Sequence, residues 1–121
     1  MRPFEGRRVL LVVSGGIAAY KSAHLVRRLV RAGAEVDVVM TSSARRFVGE
    51  ATFEGLTGRP VHTDLWERPM AHLDLGREAD VIAAAPATAD LLARMAGGRA
   101  DDLAAATLLA AAAPVAVCPA M

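Results

Sequence analysis

An apolar run, Val9-Leu10-Leu11-Val12-Val13, breaks into Ser14-Gly15-Gly16 and then into a helical pattern from near Ile17. A buried strand that turns on glycines into a helix leaves backbone N–H groups unpaired at the helix start, and the positive end of the helix dipole adds to them. Donors so arranged hold a phosphate, which makes this first strand-to-helix turn a candidate site for a phosphorylated ligand. Other chemistry-bearing residues are sparse. His24, His62 and His72 are far apart, and Cys118 is the single cysteine. Neither gives metal-ligand spacing, so no metal is expected. One cysteine excludes an internal disulfide and fits a reducing, cytoplasmic setting. His24 falls inside the first predicted helix and His62 in an irregular stretch, both structural positions. Cys118 ends a predicted buried strand and reads as a small core residue.

Four short β-branched or apolar segments read as buried strands: Val9–Val13, Val36–Met40, Val81–Ala85 and Pro114–Val117. The first helix runs from about Ile17 to Ala32 and is stopped by Gly33. This strand–helix–strand unit implies a parallel pair. Thr41, Ser42 and Ser43 offer cap hydroxyls to a short helix through Phe47-Val48. Gly49 to Gly76 is the least regular stretch, with a short helix near Ala51–Leu56 and an irregular excursion over the sheet. Thr88 can cap a helix through Met95 that closes on Gly97-Gly98, and Asp101 can cap the next, running to about Ala112. Such alternation gives an α/β fold: a doubly wound parallel sheet ordered 2-1-3-4, three-layered and flavodoxin- or Rossmann-like. Ligands of these sheets sit at the carboxyl ends of the strands, where the loops Ser14–Ile17, Thr41–Ser43 and Pro86–Asp90 converge.

The chain has 121 residues, enough for one domain. Fourteen basic against thirteen acidic residues give a net charge of +1, which argues against nucleic acid as a partner. Arg27, Arg28 and Arg31 interleave with Leu25, Val26, Leu29 and Val30, the pattern of a solvated helix face. No charge occurs from Leu103 to Met121, but alanine dominates and Pro114 and Pro119 interrupt the stretch. It reads as a buried helix followed by a strand, and no membrane association is expected. The polar segment Met1 to Arg8 runs straight into the first strand and does not read as a signal peptide.

With these loops identified, the sequence resembles the homo-oligomeric FMN-containing cysteine decarboxylases. The resemblance rests on Ser14-Gly15-Gly16-Ile17-Ala18-Ala19-Tyr20-Lys21, on Met40-Thr41-Ser42-Ser43-Ala44 with Phe47-Val48, and on His72-Leu73-Asp74-Leu75 leading through Ala79-Asp80. Pro86-Ala87-Thr88-Ala89-Asp90, Ala96-Gly97-Gly98 with Asp101-Asp102-Leu103, and Pro119-Ala120-Met121 complete it in the family's order. The closest branch acts on phosphopantothenoylcysteine in coenzyme A biosynthesis. The resemblance implies FMN as cofactor, contacted by Ser14, Gly15, Gly16, Ile17 and Ala18, by Thr41 and Ser43, by Thr88, Ala89, Asp90 and Leu91, and by Ala120. His72 matches the family's catalytic histidine, and an unperturbed pKa of about 6.5 suits proton transfer near neutrality.

The implied chemistry oxidises the cysteine thiol toward a thioaldehyde, with FMN as electron acceptor. Carbon dioxide then leaves because the thiocarbonyl stabilises the carbanion as an enethiolate. The family motif continues past Met121 into a substrate-gripping asparagine, and a reducing cysteine lies further on. The chain therefore reads as a flavoprotein domain over residues 1–121, C-terminally truncated relative to the family, with its final strand a sheet edge. A trimer, or a dodecamer of trimers, is the expected assembly. Related flavoproteins acting on peptidyl cysteine or in flavin prenylation, and a non-catalytic FMN-binding module, are the alternatives.

Overall fold

The computed structural model describes residues 2–66 and 70–120, with the backbone alone for Ala71 and His72. In chain order the elements are β1 (Arg8–Val13), α1 (Ala19–Arg31), β2 (Glu35–Met40), a 3₁₀ turn (Ala44–Arg46) and α2 (Glu50–Thr57). Then come α3 (Ala71–Glu78), β3 (Val81–Ala87), α4 (Ala89–Ala96), α5 (Leu103–Leu109) and β4 (Val115–Pro119). The strands form one sheet in the order β2-β1-β3-β4, every pair parallel, as the sequence leads one to expect.

Alternate residues of each strand face opposite layers. Val9, Leu11 and Val13 of β1 join Val36, Val38 and Met40 of β2 on one face, covered by Ala19 and Val26 of α1 and Phe53 of α2. Leu10 and Val12 face the other side with Ile82 and Ala84 of β3, covered by Leu75 of α3, Leu91 of α4, and Leu103, Ala104 and Leu108 of α5. The result is a three-layer α/β/α sandwich. Alanine in α5 lets that helix approach the sheet closely: Ala104 and Ala105 are almost completely buried.

Gly33 ends α1 as the sequence predicts. Its φ is +99°, and a Cβ there would lie 2.9 Å from the Glu5 backbone, so the turn back into β2 needs glycine. At the amino ends of the strands, Arg8 lies 3.7 Å from Glu35 and Asp37 and 3.5 Å from Glu78, while Arg59 lies 3.2 Å from Asp37. This ion network ties down the end of the sheet opposite the converging loops.

Four expectations need correction. The excursion before β3 includes a regular helix, α3, entered through Met70 in the left-handed conformation at φ 60°. It follows no cap residue, and Leu73 and Leu75 alternate rather than fall at helical spacing, so the period is hidden. Helix α5 ends at Leu109, not near Ala112. Its cap is Asp102, whose carboxylate accepts the Ala105 N–H at 2.8 Å, and not Asp101. The last strand is the expected sheet edge but is not buried: Ala116, Val117 and Cys118 are exposed because, unlike the other edge strand β2, β4 packs extensively only against β3 and carries no covering helix among the described residues. Cys118 is accordingly an exposed thiol rather than a core residue.

The cap assignment is directly testable. Asp102→Ala is expected to cost about 1–2 kcal/mol of unfolding free energy in a denaturant titration, and Asp101→Ala distinctly less; equal losses would refute it.

Candidate functional site

In the order β2-β1-β3 the chain leaves β1 toward one side of the sheet and arrives at β3 on the other, so a crevice opens at their carboxyl ends. Three loops meet there. The first is Ser14–Ala18, because α1 starts at Ala19, two residues later than its apolar pattern suggests. Ala19 N donates to Gly16 O at 3.0 Å. Among the described residues, the N–H groups of Gly15, Gly16, Ile17 and Ala18 have no hydrogen-bond acceptor. Helix α1 also has no side-chain cap, since its N-cap position is Ala18. Gly15 has no space for a side chain: a Cβ would lie 2.3 Å from Ser43 Cβ and 2.7 Å from Ser43 C. The glycine turn is thus pressed against the loop that follows β2.

That second loop is held by Thr41, which is buried and whose Oγ1 accepts the Ala44 N–H at 3.2 Å. Of the three candidate cap hydroxyls, Thr41 is the one that serves; Ser42 and Ser43 are exposed. The third loop leads from β3 to α4. Thr88 caps α4 as predicted, its Oγ1 accepting the Leu91 N–H at 3.3 Å. Leu91 contributes backbone only, for its side chain is fully buried in the core. Ser14 is buried as well, its hydroxyl donating to Pro86 O and accepting from Thr88 N at 3.0 Å.

Between the first and third loops lies a cavity of about 380 Å³, lined by Gly15, Gly16 and Ile17 on one side and Thr88, Ala89 and Asp90 on the other. Phe47 completes the wall, half exposed. Ligand sites of comparable size are typical for small molecules and cofactors. A polar cleft of about 240 Å³ adjoins it across Asp90 and includes Thr41, Ser42, Ser43 and Arg94.

Arg94 is the electrostatic centre of that cleft. Its guanidinium lies 2.8 Å from Asp102, 3.2 Å from Asp90 and 3.4 Å from Asp101. Burial opposes its charge, but the hydrogen bond and attraction of Asp102, followed by Asp90 and Asp101, outweigh burial and raise its pKa further. Asp101 shifts the other way. Desolvation pulls its pKa up, while its own backbone N–H, Arg94 and Arg99 hold it below the usual carboxylate value on balance. Its stabilising contribution is present above the unfolded-state pKa and is lost as pH falls through the lower folded value. Arg94 remains charged throughout that window, so these contacts tie the start of α4 to the cap of α5 at neutral pH.

Gly15, Gly16, Ile17, Thr41, Ser43, Thr88, Ala89, Asp90 and the Leu91 backbone therefore come together around one rim, with Ser14 buried behind it. Ala18 and Ala120 do not line the 380 Å³ cavity. They line another, of about 260 Å³, with Pro86, Cys118 and Pro119 among its walls. His72 stands in the first turn of α3, and its side chain lies outside the described residues, as does Met121. His62 is structural: its backbone bridges β2 through Met40 N to His62 O at 3.0 Å and His62 N to Val38 O at 2.9 Å. His24 lies on α1 with its ring edge-on to Tyr20. Sequence reasoning did not place Phe47 in the site. An exposed phenylalanine one turn after a Ser/Thr loop at a strand end is the signal that points to it.

A profile of the Flavoprotein family matches residues 2–121. The coenzyme A biosynthesis bifunctional protein CoaBC of Mycolicibacterium smegmatis is 55% identical over 117 residues, covering 95% of this chain and 28% of that protein. The chain thus spans less than a third of such relatives. Among solved structures, the FMN-dependent cysteine decarboxylase SpaF superposes with a TM-score of 0.90 at 36% identity, covering 98% of this chain and 70% of that one. A PPC decarboxylase C175S mutant complexed with pantothenoylaminoethenethiol gives 0.80 at 31% identity, over 95% of this chain and 67% of the other. Family profile, identity and fold agree with the loop geometry: the chain belongs to the Flavoprotein family.

Proposed function

We propose that this chain holds FMN in the cleft between β1 and β3 and serves the decarboxylation of the cysteine moiety of 4'-phosphopantothenoylcysteine to 4'-phosphopantetheine. The observation that carries the reading is one cleft with two unlike ends. At one end stand the unpaired N–H groups of Gly15 to Ala18 at the uncapped start of α1. At the other, Phe47 and Ala89 form an apolar wall, with the exposed Ile17 side chain between the two ends. A phosphate fits the first and a planar aromatic ring the second. The group fits the residues present. The likeness to CoaBC and to decarboxylases of cysteine substrates supports the same reading.

When bound, the flavin supplies the electron acceptor that makes loss of carbon dioxide beside a thiol-bearing carbon feasible. This chain's residues do the rest. Gly15, Gly16 and Ile17 would donate their unpaired N–H groups to the phosphate. Thr41 and Ser43 close the polar side through the loop that Gly15 abuts. Thr88, Ala89, Asp90 and the Leu91 backbone form the wall under the ring, while Phe47 and Ile17 exclude water from its edge. His72 moves the proton at the substrate thiol or the adjacent carbon, and Ala120 borders the neighbouring cavity where substrate approaches. The active unit is a homo-oligomer. A second substrate class, a cysteine carried by another molecule, is favoured by the likeness to SpaF.

The first test is the visible spectrum of the purified chain after incubation with FMN, with the bound cofactor released and identified by mass. Uptake of FMN and release of carbon dioxide from phosphopantothenoylcysteine are expected. Uptake without turnover leaves the flavin site standing and removes the decarboxylase reading for this chain. Gly15→Ala should abolish or severely weaken uptake, since its Cβ must displace Ser43 at a cost of about 1–3 kcal/mol. Phe47→Ala should weaken FMN binding up to about tenfold by loss of ring contact. His72→Asn should keep FMN while turnover drops at least about 100-fold; unchanged turnover would remove His72 from the proton-transfer role.

A further inference from the structure

We propose that Ser14 is a positioning residue, not a cofactor contact: its side chain clasps the two loops that form the opposite walls of the cleft. This deepens the FMN reading and rests on it for the ligand. Ser14 is 2% exposed, so it lies behind the cleft and not on its surface. Its hydroxyl hydrogen is directed at Pro86 O, and its oxygen accepts the Thr88 N–H at 3.0 Å. Its own backbone N–H reaches the same Pro86 carbonyl at 3.3 Å. One residue thus makes three hydrogen bonds to a segment more than seventy positions away in sequence.

The consequence follows from what lies on either side. Immediately after Ser14 come Gly15, Gly16 and Ile17, the phosphate-side wall; one residue beyond Pro86, past the buried Ala87, come Thr88, Ala89 and Asp90, the ring-side wall. Thr88 in turn accepts the Leu91 N–H and so fixes the start of α4. The next residue along, Gly15, is packed against Ser43, which leaves the glycine turn no freedom to move toward β2. The distance between the walls is therefore set at Ser14. Without the hydroxyl, the buried Pro86 O loses one of its donors and the half-buried Thr88 N its acceptor. Such groups are expensive to leave unpaired, so the walls part or admit water. Either change alters the cleft before any ligand enters. Ser22 offers a contrast: it is also buried and donates to Ala85 O at 2.6 Å, but it accepts no loop N–H and so joins α1 to the strand without bridging the two walls.

The test uses Ser14→Ala with Thr107→Ala as the matched control, because Thr107 is a fully buried hydroxyl whose bond to Leu103 O stays within α5. In the ligand-free protein, exchange of the Thr88 amide hydrogen should accelerate at least about tenfold in Ser14→Ala and stay unchanged in Thr107→Ala. With FMN as the probe, the dissociation constant should rise about tenfold or more in Ser14→Ala. Thr107→Ala should lower the melting temperature without moving that constant. Unchanged Thr88 protection, or FMN affinity that falls no further than in the control, overturns the proposal. Should the wild-type chain take up no FMN, the flavin reading fails by itself, and Thr88 exchange still decides whether the clasp operates. If Ser14→Ala does not fold, Ser14→Cys keeps a weak donor and acceptor; intermediate exchange and affinity support the clasp, and wild-type values in both overturn it.

Discussion

Leu11, Val12 and Val13 have no solvent exposure, because helices cover both faces of the sheet at β1 and strands pair along both its edges. A strand enclosed in this way has one exit, its carboxyl end, and its backbone must find hydrogen-bond partners as soon as the ladder stops. Thr41 N still pairs with Val13 O at 3.1 Å, and Ser14 N reaches Pro86 O. Beyond that point the chain turns outward on glycines, and the next N–H groups face open space. The candidate site is thus a consequence of enclosing β1: parallel neighbours bring their own loops to the same end, and the polar groups that the sheet cannot satisfy collect there.

How closely the loops approach is fixed by packing as much as by hydrogen bonding. The absence of a Cβ at Gly15 lets one loop touch Ser43, two residues after Thr41, while the Ser14 hydroxyl binds the other. Two consecutive residues therefore join three loops. Phe53 and Leu91, both fully buried, anchor the layers behind them, and burial of each such side chain is worth roughly 1.5–3 kcal/mol. The walls of the cleft are accordingly extensions of the core.

Strands β1, β2 and β3 and the order of the sheet were legible because enclosed parallel strands leave unbroken apolar runs, as in Leu10 to Val13. The glycine turn, the Gly33 stop and the Thr88 cap were legible because each is a local device that works through its own backbone. What escaped depends on neighbours distant in sequence. Helix α3 shows no helical period because, among its described side chains, Leu75 alone is a deeply buried apolar one. The choice between Asp101 and Asp102 as cap turns on Arg99, which holds Asp101 alone at 2.9 Å, while Arg94 meets both acids. Val117 and Cys118 carry the composition of a buried strand, but their exposure is set by the lack, among the described residues, of a helix packed over β4, whereas the other edge strand, β2, is covered and buried. Phe47 was legible as a resemblance, and only the fold brings it opposite Ala89.

Two helix starts, those of α1 and α4, meet at the cleft, and their chemistry differs in a way that orients an anionic ligand. Helix α4 satisfies its own first turn: Thr88 accepts the Leu91 N–H, and Asp90 places a carboxylate beside the helix start. That charge complements the helix dipole and repels a phosphate. Arg94, one turn further on, lies 3.2 Å from Asp90 and offsets the repulsion without releasing a free cation, since Asp101 and Asp102 share it. Helix α1 has neither a capping side chain nor an acid in its first turn. Its dipole and its unpaired N–H groups are uncompensated by the protein. An anion is therefore favoured at the glycine turn that leads into α1 and disfavoured at α4, although that turn and the start of α4 line the same cavity. On the proposed reading, this asymmetry gives a ligand with one phosphate and one uncharged aromatic end a single direction, the phosphate toward the glycine turn and the ring toward Thr88 and Ala89.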